Sequence, residues 1–392
     1  MTALSPGQQN ERVVIVDVVR GFALVGVLIA NFTSYIDQNL PSEVLDSIST
    51  PFDKALSVIN TIFFEWKFMT IFSILFGYGF GLILISLEKK NIGPNAFFIR
   101  RMFWLFVIGF IHTLFWWGDV LHFYAVCGVL LLAFRKFSTQ TILIFSVIFM
   151  FVVPQFVSSL FENYPDYFTD ENMRILYLQY RYGNILDVFK SNMNLYYRAF
   201  ILSGSDLHDI SETLGRFLFG YFLLRIKLFE AVQTKKQTFK KVLFITAPLT
   251  IAYFIIRWLT LHDIIITDKF YYEPLIKMGI ICTSGFYVSS LVLVFIKYGH
   301  SKFFSLLQAL GKMTLTNYLL VSVICNLLLY GIGFGQLGTL PMHLMWLFAL
   351  ITLLFEIIFS TYWLNKFRYG PMEWIWRGLT YQKRIPLRNK TK

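Results

Sequence analysis

Three residues capable of acid–base chemistry lie around one predicted bend between two apolar segments. In the run 100–134, Gly118 and Asp119 separate the segments, and His112 and His122 lie on either side. Asp119 and His122 are three residues apart, so they share one face of a helix that begins there. A carboxylate beside an imidazole fixes its tautomer and raises its basicity, as general acid–base catalysis requires. We therefore predict His122, Asp119 and His112 to be catalytic.

A structural alternative exists for the same residues. Asp119 can cap the helix, and both histidines can form buried hydrogen bonds to neighbouring helices. An ionisable side chain at membrane depth costs a few kcal/mol or more, however, so a cluster in this apolar context is a candidate functional site. The adjacent Trp117 and Tyr124 are predicted to contact the substrate.

The composition indicates an all-α, polytopic membrane protein. Hydrophobic residues make up 56% of the 392 residues and charged residues only 15%, with a mean hydropathy of +0.59. A soluble globule does not accommodate this balance. The formal charge is +12, but the basic residues alternate with the apolar segments instead of gathering on one face, so no nucleic-acid partner is expected. The three cysteines have unrelated spacings inside apolar runs, so neither a metal site nor a disulfide framework is expected.

The apolar runs predict about ten membrane spans in two five-helix halves. A domain boundary is predicted after residue 231, in a lysine-rich stretch, which gives halves 1–231 and 232–392. Residues 162–205 form a polar outer segment in which one or two helices are expected, either as a lid over a substrate site or as an interfacial anchor. The predicted spans are 13–35, 58–87, 97–117, 119–134, 140–161, 208–229, 240–261, 274–297, 305–333 and 341–365.

The charges of the connecting segments predict the orientation. Each even-numbered span is followed by lysine or arginine, whereas the odd-numbered exits are acidic. By the positive-inside rule both termini are cytoplasmic. The first twelve residues lack the pattern of a cleaved signal peptide, so the first span is expected to be retained.

The first span carries polar residues near both of its ends. Asp17 and Arg20 share a helical face near the cytoplasmic start, and this pair either anchors the span or, with Arg12, meets an anionic ligand. Asn31 follows Arg20 by eleven residues, roughly 16 Å along a helix, and can form hydrogen bonds near the outer end.

Two further groups are candidate substrate contacts. Glu65 stands at the outer boundary of the second span. Tyr318, Ser322 and Asn326 follow each other at four-residue spacing in the ninth span and form a polar stripe. Hydrogen bonds between helices explain such a stripe equally well.

Several motifs resemble the YeiB family of bacterial membrane proteins. The resemblance covers nearly the whole chain in family order and implies a multi-pass protein of the bacterial cytoplasmic membrane, with both termini in the cytoplasm. The motifs are Arg12 to Leu24 continuing to Asn31, Phe72 to Gly79, Gly118 to Leu121 with Tyr124 and Ala125, Gly311 to Tyr318, and Phe367 to Arg377.

The opening from Asp17 to Asn31 also resembles, more distantly, heparan-alpha-glucosaminide N-acetyltransferase, which acetylates a sugar amine across a membrane from acetyl-CoA. That resemblance implies a transmembrane acyltransferase in which Asn31 matches a site asparagine. The relative has an essential histidine shortly after that asparagine, whereas residues 32–57 contain none. His122 or His112 would therefore have to supply the base.

The leading hypothesis is acyl transfer from cytoplasmic acyl-CoA to a hydroxyl or amine of a small-molecule, lipid or glycan acceptor on the outer side. Arg12, Arg20 and Asp17 are assigned to the donor, and no metal is expected. A transporter or a lipid- or small-molecule-binding protein without bond-making activity is the alternative, and a structural or signalling subunit is a third class. Contact with membrane lipids is expected, and the glycine-rich and aromatic spans are compatible with a homodimer.

Overall fold

A computed structural model describes residues 6–37, 39–89, 94–265 and 269–388, with side chains for 14–37, 39–88, 95–265 and 272–388. The regular secondary structure of the described chain is helical apart from one isolated β-bridge, which confirms the all-α prediction. The helices that precede residue 204 are α1 (Pro6–Asp37), α2 (Ser42–Ile48), α3 (Pro51–Ile59), α4 (Lys67–Lys89), α5 (Pro94–Thr113), α6 (Leu121–Phe134), α7 (Thr139–Val147), α8 (Val153–Leu160), α9 (Asp170–Tyr182) and α10 (Ile185–Leu195).

Short π-helical segments connect three of these helices to the next element and occupy Asn60–Phe64, Ile148–Val152 and Tyr196–Leu202. The remaining helices are α11 (Ser205–Arg225), α12 (Lys236–Leu261), α13 (Lys269–Tyr298), α14 (Lys302–Lys312), α15 (Thr314–Leu329), α16 (Met342–Lys366) and α17 (Pro371–Tyr381).

Seven helical stretches of the described chain are long and apolar enough to cross a membrane, which identifies a multi-pass membrane protein. The bent pair α14–α15 makes an eighth if it counts as one span. The two other predicted spans, 119–134 and 208–229, correspond to the short apolar α6 and to the charge-bearing α11, so the count of ten is approximate. The terms outer and cytoplasmic follow the orientation predicted from the loop charges.

The predicted ninth span is broken instead of continuous. Helix α14 ends at Lys312 and α15 begins at Thr314, with an angle of 79° between them. Glu373 of α17 caps the new helix, because one carboxylate oxygen accepts the backbone N–H groups of Leu315 (2.7 Å) and Thr316 (3.1 Å). Its other oxygen accepts the Thr316 hydroxyl at 2.6 Å. A carboxylate at a helix N-terminus satisfies unpaired donors and complements the helix dipole, which stabilises the bend.

The Glu373→Gln variant is expected to lower the free energy of unfolding by about 1–3 kcal/mol. An amide has only one accepting oxygen, so the donors of residues 315 and 316 cannot all be satisfied. The melting temperature in detergent measures the effect, and Glu88→Gln, at an exposed position, serves as the matched control. Equal melting temperatures for the two variants would show that Glu373 does not hold the bend.

The centre of the bundle is built by closely packed helix pairs. Helix α1 packs along α14, and also contacts α4, α15 and α16, while α4 packs along α11. The first pair meets at Gly311, where an added Cβ would lie 1.8 Å from the backbone oxygen of Asp17. Glycine permits this approach because it has no side chain. The predicted division into two five-helix halves stays a prediction, although α1 packs against helices of the second half.

The outer segment contains α9 and α10, as the sequence predicts. Tyr180 of α9 is fully buried, stacks on Tyr330 with ring centroids 4.6 Å apart, and donates to Asn192 of α10 at 2.8 Å. The amide of Asn192 donates in turn to the backbone oxygen of Leu114, in the turn after α5. These contacts fix the outer segment against the turn that carries Asp119.

Candidate functional site

The turn 114–120 between α5 and α6 brings the predicted acid–base residues together. His112 lies in the last turn of α5, and His122 lies in the first turn of α6. Asp119 is 1% exposed and sits between them. Its Oδ2 accepts the backbone N–H of His122 at 3.2 Å, so the carboxylate also caps the start of α6, as the structural alternative requires.

Both histidine rings bind the same carboxylate. The Nδ1 of His112 lies 2.7 Å from Asp119 Oδ1, and the Nδ1 of His122 lies 2.8 Å from Oδ2. Burial alone would raise the pKa of Asp119, but the hydrogen bonds and charges of the two histidines outweigh burial and lower this pKa to about 2. An ionised carboxylate only accepts hydrogen bonds, so each Nδ1 carries a proton and each Nε2 remains for other partners. We call His112, Asp119 and His122 the buried triad.

Two residues that the sequence did not single out extend the triad. The Tyr196 hydroxyl lies 3.1 Å from His122 Nε2 and 2.7 Å from Asp206 Oδ2. This hydroxyl has a single proton, so it cannot donate to both neighbours at once. Burial raises the pKa of Asp206, and burial together with Asp206 raises the pKa of Tyr196. When Asp206 carries a proton, it donates to Tyr196, Tyr196 donates to His122, and His122 donates to Asp119.

Sequence spacing gave no signal for this extension. Tyr196 is one of seven tyrosines in the outer segment and lies 74 residues from His122. Only the folding of the π-helical segment Tyr196–Leu202 against the start of α6 brings them together. At the open ends of the network, His112 Nε2 and Asp206 Oδ1 are buried without a hydrogen-bond partner among the described residues.

A cavity of about 650 Å³ lies beside the triad, and we call it the outer cavity. Four predicted site residues line it, namely Asn31, Glu65, Trp117 and Asp119. The rings of His112 and His122 lie behind this wall and are not among the lining residues. The wall also includes charged and aromatic residues, namely Asp37, Trp66, Phe168, Asp170, Phe200, Asp209, Glu212 and Arg216.

Three other predicted substrate contacts do not line the cavity, and two of them, Tyr318 and Asn326, support the turn instead. The Tyr318 hydroxyl donates to Asp119 Oδ1 at 3.4 Å and accepts the N–H of Val120 at the same distance. Asn326 donates to the backbone oxygen of Phe115 at 2.9 Å. Tyr124 is buried below the triad, where its hydroxyl lies 2.7 Å from that of Ser73. These contacts give the residues a positioning role.

The residues assigned to the donor lie at the cytoplasmic end, away from the outer cavity. Arg20 Nη1 is 3.5 Å from Asp17 Oδ1, which confirms the predicted proximity of this pair. The charge of Lys312 also acts on Asp17, and the charges of Arg20 and Arg377 act on Arg101. We call Arg20, Arg101, Lys312 and Arg377 the basic cluster. The side chain of Arg12 lies outside the described residues.

No group of His, Cys, Asp and Glu side chains among the described residues has the arrangement of a metal site. The three cysteines are free and buried.

Comparisons with known proteins extend the resemblance noted in the sequence. The model of the family "Protein of unknown function (DUF418)" matches residues 223–383. The chain is 28% identical to "Uncharacterized protein YxaH" of Bacillus subtilis over the full length of both chains. It is 28% identical to an "Uncharacterized 39.9 kDa protein in amylase 3'region" of Bacillus acidopullulyticus, over 98% of each chain. It is 26% identical to "Uncharacterized protein YeiB" of Escherichia coli, over 97% of this chain and 99% of that one. No solved structure matches.

Proposed function

We propose that this membrane protein, which is similar to YeiB and its relatives, transfers an acyl group from cytoplasmic acyl-CoA to an acceptor held in the outer cavity. The observation that carries the proposal is the buried triad, in which the Asp119 carboxylate lies on the cavity wall and binds Nδ1 of two histidines behind it, at 2.7 and 2.8 Å. Acid–histidine pairs of this kind accept a proton from a nucleophile and stabilise the imidazolium that forms.

The acyl-CoA donor would be held through its negatively charged phosphate groups. The basic cluster concentrates cations at the cytoplasmic end of α1, α5, α14 and α17, and its Arg101 guanidinium stacks 3.7 Å from the Trp376 ring centroid. Arginine binds phosphate groups through several donors at once. From Arg20 to the level of Asn31 the helical rise is roughly 16 Å, the distance that the acyl-bearing arm of the donor has to cover.

The chemical step uses His122 as the base. Because Nε2 of His122 is hydrogen-bonded to the Tyr196 hydroxyl, the acceptor's proton reaches the imidazole through that hydroxyl. The Tyr196 ring stacks on that of Phe200, a residue of the cavity wall, so Tyr196 lies directly behind the wall of the outer cavity. The charge of Asp119 stabilises the protonated ring, and the side-chain amide of Asn31 hydrogen-bonds the developing oxyanion.

The test is thioester turnover by protein purified in detergent, measured as release of free thiol from acetyl-CoA and longer acyl-CoAs. We expect saturable binding and slow turnover by the wild type, and loss of turnover with retained binding in a folded His122→Ala variant. Failure of well-folded wild-type protein to bind any acyl-CoA would contradict the proposal.

The Tyr196→Phe variant is expected to retain acyl-CoA binding and to lose about 100-fold in turnover, because general-base catalysis contributes on that scale. Phenylalanine keeps the ring that stacks on Phe200 but removes the hydroxyl that links His122 to Asp206. The pH–rate profile gives a second readout, since the part of the profile that depends on proton transfer through Tyr196 should disappear. A variant with an unchanged profile and rate would remove Tyr196 from the mechanism.

One observation favours the alternative of a transporter or ligand-binding protein. Glu356 in α16 is fully buried, and neither of its carboxyl oxygens has a partner among the described residues. An isolated carboxyl at membrane depth is a common element of proton-coupled transport. Under this alternative Glu356→Gln abolishes proton-driven uptake into vesicles, whereas under the acyl-transfer proposal the variant keeps acyl-CoA turnover.

A further inference from the structure

We infer that the outer cavity takes an organic ammonium ion, and that the acyl acceptor is a primary amine. The first part concerns binding alone, and only the assignment of the amine as acceptor rests on the proposed function. Four features of the cavity support the inference, namely its charge, the partners of its carboxylates, its aromatic wall and its size.

The lining of the outer cavity is strongly acidic. Among the described lining residues, six carry a carboxyl group and a single one, Arg216, carries a permanent positive charge. A concave site lined by one sign of charge concentrates ligands of the other sign. The six acidic residues are Asp37, Glu65, Asp119, Asp170, Asp209 and Glu212.

The cations near the cavity, among the described residues, already have partners. Arg216 forms an ion pair with Glu212, and Lys277 lies 3.5 Å from the same carboxylate. The charge of Asp119 is shared between the two histidines of the triad. The buried Lys67 lies behind the wall, donates to the backbone oxygen of Thr61 at 2.5 Å and is attracted to Glu65.

The carboxylates nearest the outer rim therefore accept hydrogen bonds from neutral groups. Ser42 donates to Asp170 at 3.0 Å, and the indole N–H of Trp66 donates to Glu65 at 3.0 Å. Glu65 and Asp37 also repel each other electrostatically. A bound cation between them relieves this repulsion, whereas an anionic ligand increases it.

The aromatic wall offers a second interaction with a cation. Trp117 lies with its ring centroid 5.9 Å from that of Phe168 and 5.5 Å from that of Phe200, and all three rings line the cavity. Trp66, also on the wall, is 46% exposed and has a backbone φ of 65°. A bulky residue in the left-handed region is strained, and such strain persists where the surrounding structure holds it. Aromatic faces combined with carboxylates are the usual recognition elements for ammonium groups.

The volume of about 650 Å³ suits a small organic molecule and not a metal ion. Under the proposed function the ammonium group loses a proton, and its nitrogen attacks the thioester carbonyl. The C–N bond forms as the C–S bond breaks, and the thiolate leaving group takes up one proton. One further proton is released overall. Asp206 gives up its proton first, and the proton on His122 then reaches Asp206 through Tyr196.

Binding is tested without any acyl donor, so that its outcome is separate from that of acyl transfer. Purified protein in nanodiscs is titrated at neutral pH with phenethylamine, phenethyl alcohol and hydrocinnamate, three probes of similar shape and different charge. Calorimetry or tryptophan fluorescence reports binding. We expect saturable binding of the amine, at least about tenfold weaker binding of the alcohol, and no saturable binding of the anion.

The variants Glu65→Gln and Asp170→Asn are expected to weaken binding of the amine about tenfold each, because each removes one charge at the rim. The matched control is Glu171→Gln, which neutralises the exposed residue next to Asp170 outside the cavity lining and should bind like the wild type. Melting temperatures confirm that all three variants are folded.

Equal binding of amine and alcohol, or no binding of the amine by folded wild-type protein, would overturn the inference. Amine binding without acyl-CoA turnover would contradict only the proposed function. Acyl transfer to alcohols by a protein that does not bind the amine would contradict only the inference.

Discussion

The Asp119→Asn variant is expected to transfer acyl groups at least about 100-fold more slowly than the wild type. Asparagine has nearly the same shape as aspartate but offers one accepting oxygen in place of two, and its NH₂ group opposes one of the two Nδ1–H donors. One histidine must then change its tautomer or lose its partner, and the charge that stabilises protonated His122 disappears. The rate of thiol release from acyl-CoA, with an amine or alcohol acceptor present, measures the effect.

The control for this variant is Asp46→Asn, which removes an exposed carboxylate that pairs with Lys54 at 3.5 Å. Its transfer rate should equal that of the wild type, because surface ion pairs contribute little. Melting temperature and size-exclusion profile separate loss of chemistry from loss of fold. A folded Asp119→Asn protein whose transfer rate is within about threefold of the wild-type rate would show that the triad is structural.

The second large effect is expected for the Gly311→Ala variant. An added Cβ would lie 1.8 Å from the backbone oxygen of Asp17 and 2.9 Å from the backbone nitrogen of Gly21, so α1 and α14 have to separate. Overpacking of this kind typically lowers the free energy of unfolding by about 1–3 kcal/mol. A change of side-chain rotamer cannot relieve this clash, because the contacted atoms belong to the backbone. The melting temperature in detergent should fall clearly. Separation of α1 from α14 should also displace Arg20 and the basic cluster.

Gly285→Ala is the matched control within a membrane helix. Its Cβ would lie 3.4 Å from a methyl carbon of Thr246, which is ordinary contact, and alanine has the higher helix propensity. This variant should melt at the wild-type temperature or slightly above it. A Gly311→Ala protein as stable as Gly285→Ala would mean that the close approach of α1 and α14 does not stabilise the bundle.

Much of the fold follows from hydropathy, because a polypeptide crosses the membrane as a helix whose backbone groups are satisfied internally. Apolar runs of sufficient length therefore predict most of the helices. The break at Met313 escaped this reasoning, since residues 305–333 remain apolar across it. The cause of the break lies 57 residues away in sequence, where Glu373 supplies the acceptors that the start of α15 requires.

The residues of the candidate site also divide into those that the sequence predicts and those that it does not. Asp119 and His122 were predictable because their spacing is local, and His112 because a short turn returns the chain to it. Tyr196 and Asp206 were not predictable, because the contacts of Tyr196 with His122 and with Asp206 depend on how α10 and α11 pack around the turn. Tyr318 and Asn326 were recognised as a polar stripe, but the sequence could not show that they face the back of the turn.

The central claim is that an acyl group crosses the membrane, and sealed proteoliposomes test it most directly. Radiolabelled acetyl-CoA is trapped in the lumen, external donor is removed, and phenethylamine and phenethyl alcohol are supplied outside. The account predicts labelled product in the external medium from wild-type vesicles, and none from vesicles carrying Asp119→Asn or no protein. Intact donor in the lumen with no external product, under conditions in which the folded wild type binds acyl-CoA, would contradict it.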